Sequence, residues 1–314
     1  MIRLKLNPKR KVDFKVGSKG KVEFKLKEIM VPPGRKVSLK KDYDPDFTGG
    51  YKDKEGAVEQ LALNVERLAY LQEKLYAQDT YALLVIFQAR DAAGKDGAIK
   101  HVLSGVNPQG CHVTSFKAPS AEELDHDYLW RAARALPARG MIGIFNRSYF
   151  EEVLVVRVHP DLLEKQSLPR RTGGDDFWKH RFEEMNNFEK YLVDNGIVIL
   201  KFFLNVSQEE QRRRLLARID EPEKNWKFSI ADCRERALWN DYQEAYDEML
   251  SHTSKPWAPW FVIPADHKWF ARLAVSQTIC AALEALDLKF PETTEQRRRE
   301  LLEIRKEMVR EAKD

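Results

Sequence analysis

The segment Gln88-Ala-Arg-Asp-Ala-Ala-Gly-Lys-Asp-Gly97 follows a continuous apolar run, Tyr81–Phe87, and leads into a helical stretch. A strand running into a small-residue loop, a lysine and a helix start is an arrangement that cradles phosphate. Loop N–H groups and the helix dipole face the anion, and the lysine adds a full charge. Ala92, Ala93 and Gly94 keep side chains short enough for close backbone approach, and Lys95, Asp96 and Gly97 open the helix. The match to G-x-x-x-x-G-K-[ST] is incomplete, because Ala89 stands at the first Gly and Asp96 where Ser or Thr would meet a metal. Ala-Ala-Gly-Lys alone can also start a helix with no ligand; its place directly after a buried-type strand argues against that. Asp91 says more than the lysine. A carboxylate beside bound phosphate is repulsive unless a cation lies between them, so Asp91 implies Mg²⁺ and is itself a candidate ligand.

A second candidate set sits at the end of the apolar run Met141–Phe145, in Asn146-Arg-Ser-Tyr-Phe-Glu-Glu152. Ligands of open α/β sheets bind at the carboxyl ends of strands, so these residues are expected to face the phosphate loop. Arg147 is then placed to neutralise a transferring phosphoryl group; its plain alternative is a surface salt bridge. Glu151 and Glu152 either hold a metal or lie solvated at a helix start, and the residues alone leave both open.

Past residue 205 basic residues recur at helical spacing: Gln211-Arg-Arg-Arg214, Arg218, Lys224 and Lys227, with Arg170-Arg171 before Gly173-Gly174 as a further basic loop. Charge runs are usually solvated faces, and Arg212 and Arg213 read that way. Arg214 and Arg218 lie four apart on one face and, with Lys224 and Lys227, are expected to line a lid that excludes water. Ser229 reads as the N-cap of the second lid helix. A long basic channel fits a chain of phosphates better than one nucleotide, although it also fits single-stranded nucleic acid. The aromatic run Trp257-Ala-Pro-Trp-Phe261 reads as core.

These residues need a scaffold. Strands are expected at 81–87, 113–116, 141–145, 197–204 and 260–263. Helices are expected at about 54–77, 95–105, 120–136, 176–194, 207–219, 229–250 and 266–286. Strands alternating with helices argue for a doubly wound, mostly parallel sheet. Lys11–Val16 and Lys21–Leu26 alternate apolar and charged residues around Gly17-Ser-Lys-Gly20, a β-hairpin pattern. Its lysines read as a solvated edge rather than a polyanion-contacting arm. The tail from Thr293 is a charged helix, solvated or packing on another subunit. With 43% hydrophobic residues in 314 a core is easily built, and a net charge of +4 does not mark a nucleic-acid binder. Cys111, Cys233 and Cys280 have neither disulfide-framework nor zinc spacing. No apolar run is long enough for a signal peptide or a membrane helix, so a reduced, cytoplasmic protein is expected.

Taken together, Ala89-Arg-Asp-Ala-Ala-Gly-Lys-Asp-Gly97, Phe145-Asn-Arg-Ser-Tyr-Phe-Glu-Glu152, Lys224-Asn-Trp-Lys-Phe-Ser229 and Trp260-Phe-Val-Ile-Pro-Ala-Asp266 resemble the polyphosphate kinase 2 family, in order, over about residues 45–288. The Asn-Arg-Ser-Tyr-Phe-Glu form, rather than Asp-Arg-Ser-Trp-Tyr-Asn, is similar to class III. The resemblance implies an α/β P-loop kinase fold of the thymidylate-kinase type: a three-layer sandwich with a mostly parallel five-stranded sheet and a helical lid. It implies Mg²⁺ dependence, inorganic polyphosphate as donor, and AMP and ADP as acceptors. It matches Asp91 and Lys95 to the phosphate-loop pair, Asn146 and Arg147 to the strand-end pair, and Arg214 and Arg218 to the lid. Asn146 stands where other classes carry a carboxylate near the metal, and Glu151 is the residue to compensate.

The expected catalytic set is therefore Asp91, Lys95, Arg147 and Glu151, with Asp91 and Glu151 as Mg²⁺ ligands. Ala92–Gly97, Arg214, Arg218 and Lys224 are expected to bind phosphates, and Asn146, Arg147 and Arg157 the nucleotide. The expected organisation is an N-terminal extension (1–50), a P-loop kinase domain (51–290, lid about 207–252) and a charged helix (291–314), assembled as a homo-oligomer, a dimer or tetramer. Two rivals remain: an ATP-dependent nucleotide or small-molecule kinase, and a nucleic-acid-binding module. Balanced charge and Asp91 weigh against the second.

Overall fold

All eight residues of the strand Ala82–Ala89 are buried, and they divide between two cores by parity. Leu83, Val85 and Phe87 face one hydrophobic cluster, Leu84 and Ile86 the other. A strand apolar on both faces must be covered by helices on both sides, and that requirement sets the three layers.

The computed structural model describes residues 11–13, 23–169 and 174–311. In chain order these hold β1 (Lys11–Asp13), β2 (Glu23–Lys25), α1 (Glu55–Gln78), β3 (Ala82–Ala89), α2 (Lys95–Val102), β4 (Cys111–Ser115), β5 (Ile142–Asn146), α3 (Asp175–Asp194), β6 (Ile197–Asn205), α4 (Gln208–Asp220), α5 (Ile230–Ala237), α6 (Trp239–Thr253), β7 (Trp260–Pro264), α7 (Lys268–Glu284) and α8 (Glu295–Glu311), with shorter turns between.

The main sheet has the order β4-β5-β3-β6-β7, all pairs parallel, with Val85 opposite both Ile144 and Leu200. It is the five-stranded α/β sandwich expected. On one face α7, buried along most of its length, packs against α1 and α2. Asn64 and Ser276 join α1 to α7 by a buried hydrogen bond of 3.0 Å. On the other face lie α3, α6 and the turns after β5. The outer edge of β7 is covered by residues 29–31: Val31 N–H donates to Trp260 O at 2.9 Å, and Val262 N–H donates to Ile29 O at 2.7 Å. That contact closes an edge that would otherwise invite strand addition.

Three expectations change. The helix expected at 120–136 is two short turns, Ala121–Leu124 and Trp130–Arg134. Ser120 and Glu123 cap the first reciprocally, and Asp127 Oδ1 accepts from Leu129 N–H at 2.9 Å. Such local side-chain bonds compete with continuous helix. The helix expected at 229–250 divides at Leu238 (φ −90°, ψ 25°) into α5 and α6. Leu63, placed in the apolar stripe of α1, lies on its outer face, while Leu68, Leu71 and Leu75 form the buried one. β1 and β2 pair antiparallel with Val12 opposite Phe24; the turn at 17–20 and the basic pair Arg170-Arg171 lie outside the described residues.

Candidate active site

β3 delivers the loop Arg90–Gly94 to the carboxyl edge of the sheet, and α2 begins at Lys95. Ala92 takes a left-handed φ of 62° and Gly94 one of 107°. For alanine that conformation is costly and persists where the surroundings enforce it. The enforcing group is Arg214 of α4. Its Nη1 donates to the carbonyls of Ala92 (3.1 Å) and Ala93 (2.7 Å), and its Nη2 to those of Ala265 (2.5 Å) and Asp266 (3.1 Å). Glu210 accepts from its Nε at 2.7 Å. Gln211 Nε2 adds a bond to Asp91 O at 3.1 Å. Arg214 is thus not the lid-face residue its spacing suggests: it is buried and braces the loop by its carbonyls. The first turn of α2 leaves its N–H groups without intrahelical partners, available to an anion. Lys95 arches back, its Nζ donating to Ala89 O at 3.2 Å. Burial pushes the Lys95 ammonium below its ordinary pKa, with Arg147 adding to the shift and Asp91, Glu151 and Asp96 opposing it.

β5 ends beside this loop. Asn146 Nδ2 donates to Asp96 Oδ1 at 2.7 Å, linking the strand end to the first turn of α2. Arg147 follows with φ 64°, and its N–H donates to Phe87 O at 3.0 Å. Its guanidinium bridges two carboxylates, Asp91 Oδ1 at 2.9 Å and Glu151 Oε2 at 3.3 Å. Burial works against that charge, but Glu151 and Asp91 outweigh it and hold Arg147 above the ordinary arginine pKa. Ser148 caps the next turn through Phe150 N–H (3.2 Å) and accepts from Gln88 Nε2 (3.2 Å). Asp91, Lys95, Arg147 and Glu151 are therefore brought together. Glu152 is not with them: it turns away to Arg181 and Gln166.

Two cavities meet at Arg147. One, of about 480 Å³, runs from the loop along α4 and the turn after it. Nine cationic side chains line it against three carboxylates, so its net field attracts a polyanion. Arg218 and Lys224 lie here; Arg218 is paired with Asp232 at 2.8 Å, and Lys224 with Glu221. The other cavity, of about 460 Å³, has apolar walls from Phe116, Val155, Val156 and Leu162, and polar groups from Tyr128, Arg131 and Gln166. Arg147 and Glu151 also line it.

Arg157 is the one expected site residue the structure does not bring here. It pairs with Glu248 at 2.5 Å and lies over the Trp178 ring, lining neither cavity. Lys268 and Arg272, in the first turns of α7, line the basic cavity and were not anticipated. The signal was available: β7 ends just before them, and they lie four apart on a helix that must point its N-terminus at the same edge of the sheet.

A parallel sheet, a phosphate-type loop with a part-buried lysine, and an arginine at the neighbouring strand end define a P-loop kinase. The sequence profile described as "Polyphosphate kinase 2 (PPK2)" matches residues 51–291. The chain belongs to the polyphosphate kinase 2 family. It is 53% identical over 290 residues to the ADP-polyphosphate phosphotransferase of Rhodopseudomonas palustris, covering 92% of this chain and 100% of that one. It is 44% identical over 268 residues to the AMP/ADP-polyphosphate phosphotransferase of Meiothermus ruber, covering 85% and 96%. The crystal structure of polyphosphate kinase 2 from Arthrobacter aurescens TC1 superposes with a TM-score of 0.79 at 41% identity, covering 87% of this chain and 95% of that one.

Proposed function

We propose that the protein transfers the terminal phosphoryl group of inorganic polyphosphate to AMP and ADP, reversibly, giving ADP and ATP. The observation that carries this reading is the meeting of the two cavities at Arg147. A long cationic cleft suits a phosphate chain, and an apolar-walled cavity of nucleotide size suits the acceptor. Relatives named for polyphosphate, AMP and ADP support the same substrates.

The chemistry asks little of a general base. The acceptor oxygen belongs to a phosphate whose second pKa is about 6, so it is already ionised near neutrality. That oxygen bonds to the terminal phosphorus while the bridging P–O bond to the rest of the chain breaks, and the electron pair leaves on the shortened polyphosphate. What the site must do is bring two polyanions together in line. Lys95 and the loop N–H groups hold the donor end, Arg147 faces the transferring group, and the basic cleft holds the chain.

Asp91 and Glu151 are the residues that would hold Mg²⁺. Two carboxylates gathered around one cation, Arg147, beside a phosphate loop make a donor set of the kind Mg²⁺ takes with substrate oxygens completing its shell. When bound, the ion supplies charge neutralisation between phosphates. Glu151 also lines the acceptor cavity, so we assign it the support of the shorter acceptor, AMP. Glu151→Asn is expected to lose AMP phosphorylation and retain ADP phosphorylation; equal loss of both overturns that assignment.

The same reading has the enzyme acting in the cytoplasm as a homo-oligomer. No helix among the described residues is long and apolar enough to cross a membrane. α8 exposes Leu301, Leu302 and Met308, a face a second subunit could cover; light scattering of the purified chain tests this.

ATP formation from AMP or ADP, polyphosphate and Mg²⁺, followed by luminescence with Lys95→Ala as control, tests the whole. ATP from both acceptors supports the reading, and ATP from ADP alone removes AMP. No ATP from either, with turnover when ATP is the donor, favours an ATP-dependent kinase.

A further inference from the structure

Behind the segment Asn146–Glu151 lies a buried polar network. Lys201, in the middle of β6, and Glu189 of α3 expose no surface. Lys201 Nζ donates to Glu189 Oε2 at 2.6 Å and to Thr253 O at 2.8 Å. It also faces the rings of Phe150 and Trp260, each at 5.2 Å. The second carboxylate oxygen, Glu189 Oε1, accepts from the Tyr149 hydroxyl at 2.8 Å. Phe150 and Trp260 belong to the hydrophobic cluster on this face of the sheet, and Thr253 bonds the Trp260 indole at 2.8 Å.

A buried ion pair is a poor way to gain stability. Well-packed apolar residues of similar volume do as well or better, because the desolvation of two charges consumes most of their attraction. The pair does supply one thing an apolar layer cannot: a fixed acceptor for a phenol. Lys201 offsets the charge of that acceptor.

Tyr149 stands two residues from both Arg147 and Glu151, in the turn Tyr149–Val153. It is among the residues lining the acceptor cavity, and its hydroxyl is held by Glu189. Arg147 holds a left-handed backbone at this point, which relaxes unless the flanking chain is fixed. Asn146 is tied on the N-terminal side to Asp96, and on the C-terminal side Ser148 is held through Gln88 and Tyr149 through its hydroxyl.

We propose that Tyr149, anchored by the Glu189–Lys201 pair, is a positioning residue for phosphoryl transfer: it sets the segment that aims Arg147 and Glu151 at the junction of the two cavities. The proposal rests on the polyphosphate-transfer reading above. Misplacement of a reacting group by about 1 Å costs on the order of 10²-fold, so loss of this one bond should be visible in turnover. Tyr149 is not among the residues lining the basic cleft, most of which come from the loop, α4, the turn after it and α7, so polyphosphate binding should be largely spared.

Five proteins test it: wild type, Tyr149→Phe, the double variants Glu189→Gln/Lys201→Met and Glu189→Leu/Lys201→Met, and the leucine double with Tyr149→Phe added. Both doubles remove both charges, but only glutamine keeps an acceptor for the Tyr149 hydroxyl. Each is assayed with AMP and with ADP at a temperature where circular dichroism shows all five folded. Tyr149→Phe should lower kcat by about 10- to 100-fold with the KM for polyphosphate within about twofold of wild type. The leucine double should match it, the glutamine double should stay within about threefold of wild type, and adding Tyr149→Phe to the leucine double should cost nothing more. Unchanged kcat in Tyr149→Phe, or equal kcat in the two doubles, overturns the proposal; should a double fail to fold, Tyr149→Phe decides alone. Wild type inactive with polyphosphate would instead refute the functional reading.

Discussion

Around the phosphate loop, the groups that shape the site have partners at close range: Ala92 and Ala93 carbonyls to Arg214, Asp91 to Arg147 and Gln211, Asn146 to Asp96. Across the cleft, the turn Pro222–Lys227 and α5 bury no side chain. That lid is held by polar contacts such as Arg218–Asp232, Arg236 to Gln208 O, and Glu235 to His159 and Tyr242. A floor of multiply bonded groups, braced by the buried Arg214, is rigid, and a segment with few apolar contacts opens at small cost. Two adjacent residues of α4 carry the contrast: Arg213 is 72% exposed and Arg214 only 6%, though both bond Glu210. A floor already in place requires no reorganisation during the reaction, while the lid needs to admit and release a long chain.

Breaking the floor where it meets the transferring group gives the largest effect. Lys95→Ala and Arg147→Ala should each lower kcat/KM by more than about 10²-fold, with melting temperatures close to wild type. Breaking the floor from beneath adds a stability cost. Arg214→Ala leaves the loop carbonyls without their partner and Glu210 with Arg213 alone, and should destabilise by about 3 kcal/mol, read by denaturant titration, as well as lowering kcat. Breaking the lid acts on binding instead. Lys224→Ala/Lys227→Ala should raise the KM for polyphosphate several-fold with little change in kcat, and the difference should shrink as salt is added. Arg212→Ala removes an exposed pair with Glu209 and should leave melting temperature and kcat at wild-type values.

The floor was also the more legible region in the sequence. An unbroken apolar run followed by Ala-Ala-Gly-Lys fixes strand, loop and helix start by local chemistry, and the ends of β3, β5, β6 and β7 fall within two residues of expectation. Asp91, Lys95, Arg147 and Glu151 could be read as one site because sheet topology dictates which loops meet. What local pattern could not show is where a long side chain ends. Spacing put Arg214 and Arg218 on one face, but only the fold shows Arg214 beneath the loop. Arg157 met Glu248, 91 residues away, instead of the nucleotide cavity. The Tyr149–Glu189–Lys201 network joins a strand end, a helix and a central strand, and a lysine inside the apolar run Ile197–Leu204 gave no hint of its partner. The break at Asp125–Asp127 was readable, since an aspartate two residues before a helix start favours a cap over continuation.

The account stands on polyphosphate being the phosphoryl donor at the Arg147 junction. ³¹P NMR of one mixture of AMP, polyphosphate, Mg²⁺ and enzyme, with no ATP added, measures this directly. The prediction is that terminal polyphosphate is consumed as the β-phosphate of ADP and then the γ-phosphate of ATP appear in matching amounts, and that Lys95→Ala abolishes both. An unchanged polyphosphate spectrum, under conditions where the same enzyme phosphorylates AMP from another nucleoside triphosphate, would contradict it.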